Sequence, residues 1–119
     1  MAQTTTVLTE GIRDLEFLES EANGRLSRDL VTLTMDAEVY DAGTVLKVVS
    51  GKMVRFDGTG DAAGILMYKV DAAAADVQST AIVRLAEVTK DRLVFASGVT
   101  SPQQDTAIAK LAESFIIAR

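Results

Sequence analysis

The chain has 119 residues, 48% apolar and 24% charged, with a formal net charge of −5, which suits one hydrophobic core and is too short for two ordinary domains. It contains no cysteine and no histidine, which removes disulfides, thiolate nucleophiles, thiolate metal sites and the side chain used most often in general acid and base catalysis. An enzyme is therefore not expected, and the negative balance has the wrong sign for gripping nucleic-acid phosphates.

No stretch approaches the roughly 20 apolar residues that cross a bilayer, and the opening lacks the basic start and apolar run of a signal peptide. No membrane partner is expected, and synthesis and retention in the producing cell's cytoplasm are. Charge is uneven along the chain. Residues 1–21 carry −4, from Glu10, Asp14, Glu16, Glu19 and Glu21 against Arg13, and the remainder carries −1.

Met1 to Thr9 is rich in threonine, with Val7 and Leu8 as its apolar side chains after the initiating methionine and Ala2. Such a composition buries too little surface to offset its ordering entropy, so a flexible N-terminal arm is expected over residues 1–20. Extended, twenty residues reach on the order of 65 Å, beyond the radius of a small domain. Residues 21–119 are expected to form one β-rich domain. Ile12, Leu15, Phe17 and Leu18 suit either a short helix or an extended segment docked on that domain.

Ala22, Asn23 and Gly24 signal a turn, and Leu30 to Thr34 reads as a strand. Thr44 to Val49 and Met53 to Phe56 flank Ser50 and Gly51, the placement of a tight hairpin turn. Asp57 to Asp61 forms a turn-rich loop before a buried strand over 64–70, in which Gly64 marks a bulge or a close backbone approach. Ala72 to Asp76 connects to β patterning over 80–88, and Leu93 to Phe95 is read as a short strand. Ser101, Pro102 and Gln104 suit the N-cap, first-turn proline and capping partner of a helix, with Ile108, Leu111, Ala112 and Phe115 recurring at helical spacing on one face. Phe115, Ile116 and Ile117 end the chain as an extended strand or a subunit contact. The pattern is mainly β, a barrel or sandwich with one C-terminal helix.

Candidate chemistry is sparse. Asp57, Gly58, Thr59, Gly60 and Asp61 resemble part of a calcium loop, but Thr59 replaces the middle acid and no glutamate follows at the required distance, so a plain turn is the better reading. Glu16, Glu19 and Glu21 read as a solvated acidic face. Ser27, Ser50 and Ser79 have no base beside them to activate a nucleophile, and Gly58 and Gly60 are followed by neither the Lys-Ser/Thr pair nor the helix of a phosphate loop. Arg84 and Glu87 read as a weak surface pair. No catalytic residue, metal site or cofactor is expected.

Ser20 to Gly24 followed by Leu26, Ser27, Arg28 and Asp29 resembles the opening signature of the lambda-type bacteriophage head decoration protein family. Ala42 to Leu46, Phe56 to Thr59, Ala62 to Leu66, Val70 to Ala72, Ala75 with Asp76, and Ala86 to Val88 follow in that family's order, over roughly residues 17–119. The chain departs at Phe56 and Phe95, places that members often fill with tryptophan, and at Phe115, near an expected glycine. The resemblance implies a β-clip-like barrel forming homotrimers at the local threefold positions of an expanded head, on the outer surface of the virion. It implies the major capsid protein as partner, with the arm adding a strand to it.

On that basis Thr4, Thr5, Thr6, Val7 and Leu8 are the expected capsid-binding segment, with Val7 and Leu8 as apolar anchors. Glu10, Asp14, Glu16 and Glu19 are expected to meet a basic surface. The competing reading is a soluble ligand-binding β module of an enzyme complex. It needs a concave site lined by aromatics or convergent polar groups, hard to assemble from two tyrosines and four phenylalanines.

Overall fold

A computed structural model describes Leu15 and residues 17–119. Five strands close into a barrel in the order β2–β4–β3–β5–β6, where β2 is Arg28–Leu33, β3 Val45–Val49, β4 Lys52–Arg55, β5 Ala62–Leu66 and β6 Val77–Ile82. A separate three-stranded sheet has the order β1–β7–β8, formed by Leu18–Glu21, Ala86–Val88 and Ile116–Ala118. One short helix, α1 (Gly24–Ser27), joins β1 to β2, and the long helix α2 (Ser101–Glu113) precedes β8. The mainly β body with a closed barrel and one C-terminal helix matches the expectation from the sequence.

Only β5 and the first half of β3 read as apolar runs, because there the barrel is covered on both faces; β2, β4 and β6 mix polar and apolar residues, and Leu30, Val48 and Val49 are exposed. In β3, Leu46 points into the barrel with Leu33, Tyr40, Met53, Leu66 and Ala81, while its neighbour Val45 points outward. In β5 and β6 the same alternation sends Leu66 and Ala81 inward and Ile65 and Ile82 outward. The outward set packs with Phe17, Phe56, Ala107, Leu111 and Ile116, so α2 and the small sheet share a second core outside the barrel.

The β3–β4 hairpin has the expected two-residue turn, with Ser50 and Gly51 both at positive φ (52° and 80°) and Val49 paired with Lys52. This left-handed pair matches the twist of the flanking strands. Gly64 is needed for close approach, since a Cβ there would lie 2.9 Å from the Ile82 carbonyl oxygen. The β3–β5 register also shifts opposite it, between Leu46 and Lys47. Antiparallel β2 and β6 pair from Arg28 with Ile82 to Leu33 with Val77, and Leu33 beside Met53 completes the ring in parallel.

Several elements differ from the sequence reading. The helix is capped by Thr100, one residue earlier than Ser101: the Thr100 hydroxyl accepts the Gln103 N–H, and the Gln103 side chain accepts the Thr100 N–H at 2.8 Å. Both hydroxyl residues can cap, and the proline is tolerated in either register because the first helical N–H groups lack partners anyway. The buried helical positions are Ala107 and Leu111, whereas Ala112 is exposed and Phe115 lies beyond the helix at φ 62°. Leu93 to Phe95 forms no strand: a 3-10 turn over Lys90–Arg92 leads to a single bridge between Val94 and Thr44. Ser27 is fully buried at the end of α1, where only a turn was expected.

Phe17 is 1% exposed and β1 is hydrogen-bonded to β7, so the boundary expected at residue 20 falls inside a strand of the body.

Candidate assembly surfaces

Three parts of the surface could do work: the root of the N-terminal segment, the loop over residues 56–61, and the outer face of the small sheet. At the root, Leu15 turns the chain at φ 64°, and its carbonyl accepts the Leu18 N–H at 3.1 Å. The Phe17 carbonyl then accepts the Thr89 N–H at 2.7 Å, and Glu19 accepts the Thr89 hydroxyl.

The Ser20 to Asp29 signature folds into a compact set of ties. The Glu21 carboxylate accepts the Arg28 Nε–H at 2.9 and 3.2 Å and the hydroxyl of buried Ser27. Hydrogen bonding from Arg28, with help from Ser27, holds the Glu21 carboxyl below its ordinary range although burial opposes this. Glu21 is thus a partnered group with a side chain 14% exposed, not part of a solvated acidic face. Arg84 bonds the Leu26 carbonyl and pairs with Asp29 at 2.9 Å. Arg84 and Glu87 are consequently not partners, since Glu87 pairs with Arg119 at 3.1 Å.

The loop after β4 is fastened at both ends. Phe56 is buried and meets Phe95 edge to face, 6.4 Å between centroids. Asp57 accepts the Lys47 ammonium at 2.8 Å together with the Thr59 hydroxyl and N–H, which drives its carboxyl far below the usual range. Asp61 faces Lys110 at 3.7 Å. Each carboxylate of the loop is therefore matched by a lysine, as a fixed turn requires.

An open cleft of about 310 Å³ lies between the 3-10 turn and α2, lined by Lys90, Asp91, Leu93, Phe95, Gln104 and Ile108. Its lining mixes charges with a single aromatic ring, far from the aromatic-lined site a ligand module needs. Among the described residues no buried side-chain polar atom lacks a hydrogen-bond partner, and no three acidic residues gather as a metal site would require.

Across the small sheet, Ser20, Glu87 and Ile117 stand in register on the outer face, opposite buried Ala86, Val88 and Ile116. Leu85 and Phe115 flank them, and both hold left-handed backbone (φ 56° and 62°). Phe115 stands near the glycine the resemblance leads one to expect, the residue left-handed backbone favours, whereas no sequence signal marks Leu85. Residues 4–8, the expected capsid-binding segment, lie outside the described residues.

The described residues thus form a closed barrel with pinned loops and a separate three-stranded sheet, with shallow open clefts on the surface. The chain belongs to the bacteriophage lambda head decoration protein D family, whose model matches residues 7–116. No curated protein matches it. Membership makes the chain a virion component associated with the phage capsid. No described helix is long and apolar enough to cross a membrane.

Proposed function

We propose that this protein cements the phage head. It binds as a homotrimer at local threefold positions of the expanded shell, on the outer surface, and helps the shell resist the pressure of packaged DNA. The observation that carries this reading is the family match, which begins at residue 7 and so takes in Val7 and Leu8. The work is binding alone, with no catalysis, cofactor or direct nucleic-acid contact, after synthesis in the host cytoplasm.

The mechanism is additive. Each trimer spans seams between capsid subunits, and several modest contacts made together multiply into a strong attachment. Thr4 to Leu8 adds a strand to the major capsid protein: backbone hydrogen bonds give affinity, and Val7 and Leu8 fill apolar pockets. Edge strand β1, into which the N-terminal segment leads, gives that segment an anchor held by Phe17 and Glu21. Glu10, Asp14, Glu16 and Glu19 favour a basic surface revealed by expansion, an attraction screened beyond about 8 Å at physiological salt.

Co-sedimentation with expanded and unexpanded shells of the same phage tests the proposal, comparing the full chain with one lacking residues 1–14. The expected result is binding to expanded shells only, lost on deletion and weakened by salt. Undiminished binding of the shortened chain would remove the arm from the mechanism, and absence of binding to either shell would remove the proposal.

A further inference from the structure

We infer that Leu15 is a positioning residue for shell binding: its left-handed turn fixes where and in which direction residues 1–14 leave the body, and so where the shell must offer the strand edge that residues 4–8 join. The inference rests on the cementing reading above and deepens it by naming what sets the exit of the N-terminal segment.

Two observations carry it. First, the turn is held against its own cost. Leu15 sits at φ 64°, a backbone that costs a leucine free energy a glycine would be spared. A residue in such a conformation persists where its surroundings over-determine it. Here the Leu15 carbonyl accepts the Leu18 N–H at 3.1 Å, and the Leu15 side chain packs against the second core, the one that holds Phe17, Val45 and Val88. A bond from residue i+3 back to residue i reverses the chain. Residues 1–14 therefore depart from the body at this turn instead of continuing the line of β1.

Second, a residue distant in sequence is given over to holding this root. Thr89 stands at the N-cap of the 3-10 turn Lys90–Arg92, where a threonine hydroxyl ordinarily accepts an N–H of its own turn. It makes no such bond. The hydroxyl donates to Glu19, and the Thr89 N–H bonds the Phe17 carbonyl at 2.7 Å. Phe17 is itself buried and Leu18 pairs with Val88, so three successive residues after the turn are tied down.

A fixed exit gives the segment a finite reach. Six residues separate Leu8 from Leu15, so Leu8 can stand at most about 25 Å from the turn. The capsid strand edge lies within that radius of Leu15 once the body is seated. Attachment of the body and attachment of the segment then reinforce each other through the effective concentration that a short tether confers.

Co-sedimentation titrations with expanded shells of the same phage test this. They compare the full chain, Leu15→Met, Leu15→Pro, a chain with about twelve Gly-Ser residues inserted between Asp14 and Leu15, and a chain lacking residues 1–14. Leu15→Met keeps an unbranched apolar side chain and should bind as the full chain does. Proline cannot adopt positive φ, so Leu15→Pro should weaken binding about tenfold while its circular dichroism and thermal midpoint match those of Leu15→Met. The insert lengthens the tether about threefold and should weaken binding roughly fivefold, by dilution of the effective concentration, at unchanged stability.

Wild-type-like binding by either Leu15→Pro or the insert chain, beside a full chain that binds, would overturn the inference and leave the cementing proposal standing. Loss of binding by Leu15→Pro that comes with a lowered thermal midpoint would overturn it as well, since Leu15 would then serve the fold alone. A full chain that binds no shell would overturn the cementing proposal, and the inference with it.

Discussion

The barrel, with strands of 4 to 6 residues, and the small sheet, with strands of 3 or 4, solve opposite problems. Closure leaves the barrel no free edge, and where α2 and the small sheet cover it apolar residues are buried on both faces, Leu46 inward and Val45 outward. The β1–β7–β8 sheet keeps two edges, covers one face only, and carries on the other its strained apolar pair and its ion pairs. The difference shows where burial is complete: the barrel encloses one core and closes its own edges, whereas the sheet covers a second core with one face and leaves the other face to solvent.

Substitution in the barrel interior should break this contrast most severely. Leu46→Ala removes a fully buried side chain and should lower unfolding free energy by about 3 kcal/mol in urea titration. A loss under about 1 kcal/mol would mean that the barrel is not the stabilising centre.

Next is the tie between the sheet and the barrel. Glu21→Gln breaks the ion pair with Arg28 and should cost about 2 kcal/mol, because a part-buried guanidinium loses its charged acceptor. The same group predicts acid sensitivity. Its folded-state pKa lies below the unfolded value, so its contribution is present above about pH 4.3 and is lost as pH falls through the folded pKa. Asp57 and Asp76, lowered by Lys47 and Lys52, act in the same direction. Thermal midpoints from pH 7 to pH 3 should fall, and Glu21→Gln should fall less steeply than the wild type.

Thr100→Ala should cost about 1 kcal/mol through the lost helix cap, read from the same urea titrations. The smallest effect has the opposite sign: Phe115→Gly should stabilise the folded chain by something under about 1 kcal/mol, because glycine accepts its backbone without strain. A destabilised Phe115→Gly chain would show that the side chain contributes more packing to the fold than its backbone strain costs.

What the sequence revealed was local. Ser50–Gly51 between two apolar runs announces its hairpin, Gly64 its close approach, and Pro102 its helix, because each works through neighbouring residues. What stayed hidden was relational. Parallel pairing of β7 with β8 and closure of β2 on β4 depend on segments far apart in sequence. Phe115 sits at helical spacing from Leu111 yet leaves the helix, because Ser114 ends it and the chain must reverse into β8. Glu21 lies seven residues from Arg28, so their pairing is set by the α1 turn rather than by any pattern along a strand or helix. Thr100 was missed by a single position because its neighbour is chemically equivalent as a cap.

The longest ladder of the barrel joins Arg28–Leu33 to Val77–Ile82, with β3, β4 and β5 lying between them in the chain. A ribosome must therefore release the chain through Ile82 before the ring can close, and until then the apolar strands of the hairpin wait without their final neighbours. Non-local pairing of this kind slows folding relative to a helical bundle of equal length. Closure of the barrel therefore waits on the encounter of β2 with β6, the two ends of the segment that forms the ring.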